Sequence, residues 1–150
     1  MSDTKTPPVL PTMVLPMPVK GFRFDKTKDG WELIENVALE GESILTLDTF
    51  LREDESSVIG HTMLERAKED AEEKGARTGQ LHAERMLEQQ DKIPAEWQNF
   101  YLVFTGTVWR SSGGFICVPC LCWGGGEWRL SGGCLGSDWD GLSRLVRLGK

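Results

Sequence analysis

Three successive patterns of apolar and polar positions run along this chain. The first is short and strand-like. Phe22 and Phe24 alternate with Arg23, the stretch Lys26-Thr27-Lys28-Asp29-Gly30 offers a turn, and Trp31, Leu33 and Ile34 resume. Residues 20–37 therefore predict a β-hairpin, and the apolar run Ile44 to Leu51 predicts a third strand or the start of a helical region. The second pattern is helical. Behind a cap drawn from Asp54, Ser56 or Ser57, the residues Ile59, Met63, Leu64, Ala67 and Ala71 form a narrow apolar stripe opposite crowded Glu and Lys. Gly75 and Gly79 interrupt it, since a glycine inside a helix costs about 1 kcal/mol. A second helix is expected from Gln80 to about Gln90, ended by Ile93-Pro94, with a short turn over Pro94–Trp97.

The third pattern begins near residue 100. Phe100 to Trp109 is apolar on both faces, as in a central strand covered from two sides. Ser111-Ser112-Gly113-Gly114 and Gly124-Gly125-Gly126 supply turns on either side of a strand from Phe115 to Trp123, and Glu127 to Leu130 begins the next. Leu142 to Leu148 closes the chain as a strand or short helix. Strands, two helices and then more strands predict an α+β domain over residues 20–150. Residues 1–19, with prolines at 7, 8, 11, 16 and 18, read as a Pro-rich tail, either a loose arm or one that packs back on its own domain.

Composition narrows the function classes. The net charge of -6 argues against nucleic acid, because phosphate binding needs clustered Lys and Arg. The imbalance lies in residues 1–100, with 12 basic and 20 acidic side chains; residues 101–150 carry 5 and 3. No apolar run reaches the length of a membrane span, and no signal peptide is evident. The expected location is cytoplasmic, or on a virion or cell surface by a non-classical route. Four cysteines in such a chain are expected to be reduced.

Candidate chemistry is sparse. Cys117, Cys120, Cys122 and Cys134 could ligate zinc, but on a flat strand Cys120 and Cys122 share one face and Cys117 takes the other. Buried thiols are the first reading, and a small zinc-stabilised structural or adaptor domain the alternative. His61 and His82 are the only histidines and lie on separate helices, without a nucleophile or orienting carboxylate in a recognisable spacing. Asp138-Trp139-Asp140-Gly141 has the start of a calcium loop but not the rest, and reads as an Asx turn. No enzyme activity and no cofactor are implied.

Aromatic content is the strongest remaining signal. Five of six tryptophans, Trp97, Trp109, Trp123, Trp128 and Trp139, fall within 43 residues. Around them, Thr107 to Gly149 contains no Lys, Met, Gln, Asn, Tyr, His or Ala, and reuses Gly, Ser, Cys, Leu, Arg, Asp and Trp. In this bias, and in its order of elements, the chain resembles the variable proteins of diversity-generating retroelements. Those carry a C-type-lectin-like fold with N-terminal strands, two helices and a C-terminal antiparallel sheet with long loops, and adenine-directed mutagenesis scatters Asn and Tyr codons there.

The resemblance implies a non-enzymatic ligand-recognition protein with a hypervariable surface over about 105–149. Trp123, Trp128, Leu130, Leu135, Trp139, Arg144 and Val146 would be frame. Cys120, Cys122, Ser131, Gly132, Gly133, Cys134, Gly136, Ser137, Asp140, Gly141, Leu142 and Ser143 would be displayed ligand-binding positions. The expected partner is an unspecified protein or cell-surface ligand, without nucleic acid and without membrane insertion. The sugar-binding motifs Glu-Pro-Asn and Trp-Asn-Asp of C-type lectins are missing, so calcium-dependent sugar binding is not carried over.

Overall fold

The computed structural model describes residues 10–15, 21–39 and 42–149. In chain order its elements are β1 (Met13–Leu15), β2 (Glu32–Asn36), β3 (Ser43–Asp48), β4 (Ser57–Ile59), α1 (Gly60–Glu69), α2 (Ala71–Lys74), α3 (Gln80–Leu87), β5 (Tyr101–Val103), β6 (Thr107–Arg110), β7 (Ile116–Gly124), β8 (Glu127–Cys134), β9 (Asp138–Asp140) and β10 (Ser143–Leu148). Short 3-10 turns cover Lys26–Asp29, Gln90–Lys92 and Ala95–Asn99. The fold is α+β: one large sheet in the order β1-β3-β10-β5-β7-β6-β2, with β8 on β7, and a small β4-β9 pair. Only β10 and β5 run parallel among these pairs.

The sheet forks, and the fork explains why Phe100–Trp109 is not a single strand. Leu102 and Val103 face Leu121 and Cys120 of β7, whereas Trp109 and Arg110 face Cys117 and Ile116. Six residues thus separate Val103 from Trp109 where three separate Cys120 from Cys117, so three residues are looped out. Pro119 sits opposite this break; it has no N–H to leave unpaired, and its C=O accepts from Phe104. Beyond the break β5 continues to β10 and β6 to β2. Gly106 at the cleft of the fork donates to Thr78 C=O at 2.7 Å, and a Cβ there would lie 2.7 Å from the same oxygen. Thr78, fully buried, donates its hydroxyl to Val146 C=O.

Two cores flank the sheet. One gathers Leu15, Leu45, Met86, Trp97, Leu102, Leu121 and Trp128, and the other Phe50, Met63, Val103, Val118, Leu135, Trp139 and Leu145. Met13 and Leu15 are buried in β1, so this part of the segment read as a tail belongs to the domain; residues 1–9 and 16–19 of that tail lie outside the described residues. Arg147 of β10 is 1% exposed. It binds Asp48 at 2.9 Å and donates to the carbonyls of Ala67 and Gly75, tying the ends of α1 and α2 to the sheet.

Several expectations from sequence are corrected. Of the hairpin expected over 20–37, the described residues 21–37 form none: β2 pairs with β6 instead. The backbone N–H groups of Arg23 and Phe24 donate to the carboxylate of Glu84 on α3, at 2.7 and 2.9 Å, so they serve no ladder. None of Asp54, Ser56 and Ser57 caps the first helix. It begins at Gly60, and its leading donors are met by backbone: Gly60 N–H by Ser137 C=O, His61 N–H by Leu135 C=O. A Cβ at Gly60 would stand 2.6 Å from Leu135 Cα and 2.7 Å from Trp139 Nε1, so only glycine lets the 135–139 segment come this near. The break between helices does fall at Gly75–Gly79, and the chain ends as a strand.

Candidate functional site

β7 and β8 form the scaffold of the C-terminal module, pairing over eight positions from Cys117↔Cys134 to Gly124↔Glu127. Side chains alternate between two faces along both strands. Val118, Cys120 and Cys122 belong with the Trp139 core, whereas Leu121, Trp128 and Leu130 belong with the Trp97 core. Each face ends in a hollow that the core does not fill.

On the Trp139 side, Tyr101, Cys120, Cys122, Ser131, Gly132, Asp138, Trp139, Asp140 and Ser143 line a depression of about 290 Å³. Six of the twelve displayed positions expected from sequence meet here: Cys120, Cys122, Ser131, Gly132, Asp140 and Ser143. Within that group Ser131, Gly132 and Asp140 are exposed and Cys122 half-buried, while Cys120 and Ser143 are buried and form the floor. Gly136, Ser137, Gly141 and Leu142 are exposed in the neighbouring turns. Asp138 and Asp140 point to one side of β9 and are exposed; Trp139 between them turns inward. Among the described residues the lining contains no Lys or Arg, so the depression is acidic and suits a cationic or hydrogen-bond-donating ligand. Asp140 Oδ1 accepts from Leu142 N–H at 2.9 Å, the Asx turn expected of this segment.

Tyr101 and Asp138 are site residues that sequence reasoning missed. Tyr101 precedes the biased stretch and reaches the site because β5 runs parallel to β10 with Tyr101 beside Ser143. A parallel pairing of residues 42 apart leaves no local pattern to read. Asp138 carried a readable signal, since it alternates with Asp140 around an inward Trp139.

Two displayed positions are corrected. Gly133 is a structural slot, because a Cβ there would overlap Cη2 and Cζ2 of Trp139. Trp139 cannot retreat freely, as its Nε1 donates to Cys134 C=O at 3.1 Å and its ring abuts Gly60. Cys134 is exposed but belongs to the other face, where its Sγ lies 3.5 Å from Cys117 Sγ. The tetrathiolate zinc alternative is corrected on the same ground. Cys117 and Cys134 stand on one side of the β7–β8 pair and Cys120 and Cys122 on the other, so the four sulfurs cannot surround one ion. Burial pushes the Cys120 and Cys122 thiols above the ordinary range, and burial together with Cys134 pushes Cys117 up to about 11.

Among the frame positions, Trp128, Leu135, Trp139 and Val146 are buried, Leu130 and Arg144 half-buried, and Trp123 is exposed with its ring 5.7 Å from that of Trp128. His82 is 1% exposed and accepts the Gly79 N–H on Nδ1 at 3.0 Å, which caps α3 from within. Burial lowers its pKa to about 4, so it stays neutral at physiological pH. Among the described residues no helix is long and apolar enough to cross a membrane. Compared with family models, curated proteins and solved structures, the chain matches none of them.

Proposed function

We propose that this chain is a non-enzymatic recognition protein whose C-terminal module presents a variable binding face on a C-type-lectin-like scaffold. The observation that carries the reading is how residues 128–146 divide. Trp128, Leu135, Trp139 and Val146 are buried, and the small or polar residues between them, Ser131, Gly132, Gly136, Ser137, Asp140, Gly141 and Leu142, are exposed. A frame of large apolar side chains with open positions between tolerates change on its surface without loss of core. The order of elements also supports the scaffold: strands, helical segments, then a C-terminal sheet whose last strand β10 lies beside the early strand β3.

In this reading Trp139 and Trp128 hold β7, β8 and β9 rigid, and the ligand meets the acidic depression between Ser131, Asp140 and Tyr101. Rigid supports keep the entropic cost of binding low, and the variable positions set shape and charge. The DNA around the coding region provides the test. A near-copy of the 3′ end that differs mainly at adenines, next to a reverse transcriptase gene, is expected. A flanking region with no such copy would sink the proposal of programmed variation.

A further inference from the structure

β8 is an edge strand. Its inner edge is taken by β7, and among the described residues no strand pairs with its outer edge. Alternate residues of a strand turn both backbone N–H and C=O to one neighbour, and the rest turn theirs away. Leu135 N–H donates to Ile116 C=O, which places Leu135, Gly133, Ser131 and Arg129 in register with β7. Trp128 faces outward: its C=O accepts from Gln90 Nε2 at 3.3 Å, and its N–H donates to Gln90 Oε1 at 3.0 Å. Cys134 also faces outward, its C=O accepting from Trp139 Nε1 and the Ser137 hydroxyl. Between them, Leu130 and Gly132 must face outward too, and no partner meets their backbone groups among the described residues.

The side-chain amide of Gln90 offers a donor and an acceptor to one residue of the edge, as the backbone of an added strand would. The next two places of that ladder stand open. They open onto a cleft of about 730 Å³ on the Trp97 side of the sheet, whose lining includes Leu130, Gly132, Arg23, Lys26, Trp31 and Trp128. A Cβ at Gly132 would find only Val118 C=O within 4 Å, so the floor there is bare.

Charge selects the occupant. Arg23 and Lys26 lie over the rings of Phe24 and Trp31, at 5.1 and 4.9 Å, and no carboxylate pairs with either among the described residues. Among the described residues Glu127 is the one carboxylate in the lining, and Arg129 engages it at 3.3 Å. The buried indole N–H of Trp128, in the wall, has no acceptor among the described residues. The cleft thus offers spare cations and a spare donor, opposite in sign to the depression on the other face.

We propose that the outer edge of β8 at Leu130–Gly132, with this cleft, takes an extended acidic segment of a partner protein as an added strand. The segment's backbone pairs with Leu130 and Gly132, and its carboxylates meet Arg23 and Lys26. This second interface opens on the other face from the acidic depression, meets it at Ser131 and Gly132, and does not depend on the variable-face reading.

The test uses the full chain and three synthetic probes: a hexapeptide alternating Glu and Val, its counterpart alternating Lys and Val, and the acidic peptide with alternate backbone amides methylated. Fluorescence anisotropy is expected to show the acidic peptide binding at least about tenfold more tightly than the basic one. Methylation, which removes ladder donors and keeps the charge, is expected to abolish binding, and bound peptide to slow amide exchange at Leu130 and Gly132. The double variant Arg23→Glu, Lys26→Glu is expected to reverse the charge preference. Equal binding of the methylated peptide, no discrimination by charge, or no binding of the acidic peptide at millimolar concentration would each overturn the proposal. So would perturbation confined to the Asp138–Asp140 face.

Discussion

Three glycines on β8 and the turn after it differ sharply in the room around them. Gly132, Gly133 and Gly136 lie within five residues and look equivalent in sequence. At Gly133 an added methyl overlaps the six-membered ring of Trp139, which its Cys134 hydrogen bond and Gly60 hold in place. Forcing a methyl into such a packed position costs about 1–3 kcal/mol. For a chain of this size that lowers Tm by roughly 2–12 °C. At Gly136 an added Cβ meets nothing within 4 Å, and at Gly132 only ordinary contact at 3.8 Å; neither glycine has positive φ. Gly→Ala there is expected to be neutral, or to stabilise by up to about 1 kcal/mol through the unfolded chain. Calorimetric melts of the three single variants test the ordering. Trp139→Phe removes the overlapping ring atoms, so Gly133→Ala should cost less in that background, with a coupling above about 0.5 kcal/mol. Equal Tm values for the three alanine variants, or strict additivity in the cycle, would refute the slot and return Gly133 to the displayed set.

Two further outcomes are expected. His82 is held neutral by burial, with its pKa lowered to about 4 from an ordinary 6.5. Between those values the unfolded chain binds a proton that the folded chain refuses, so stability is full above about pH 6.5 and falls by roughly 3 kcal/mol as pH drops to about 4. The paired carboxylates Glu35 and Glu55 titrate below the ordinary range, so their loss comes in more acid solution. Urea midpoints of wild type and His82→Asn between pH 7 and 4.5 read this directly, and an unchanged slope in the variant would contradict it. Separately, Cys117 and Cys134 sit opposite each other in a non-hydrogen-bonded pair with sulfurs 3.5 Å apart. Glutathione disulfide at mildly alkaline pH should convert this pair, and not Cys120, to a disulfide, releasing two glutathione thiols. Peptide mapping by mass spectrometry checks it; a mixed disulfide left standing on Cys134 would show that the two sulfurs cannot close.

Much of the architecture was legible along the chain because it is locally encoded. The glycine break between helices, the two turns around β7 and the strand after Gly126 all follow from backbone preferences within a few residues. The burial of Trp128, Trp139 and Leu135 amid small polar neighbours could likewise be read from residue type, since large apolar side chains gain most from leaving water. What the chain could not announce are the contacts between distant segments. Glu84 takes the amides of Arg23 and Phe24, backbone from the 135–137 turn caps α1, and Gly106 admits Thr78 into the fork of the sheet. Each replaces a partner that local rules would have supplied nearby. The candidate site divides in the same way: the small and polar residues Ser131, Gly132, Gly136, Ser137, Asp140 and Gly141, which the resemblance pointed to, are exposed. Only the parallel pairing of β5 with β10 brings in Tyr101, only the ring of Trp139 withdraws Gly133, and only the alternation of β8 sends Cys134 to the opposite face.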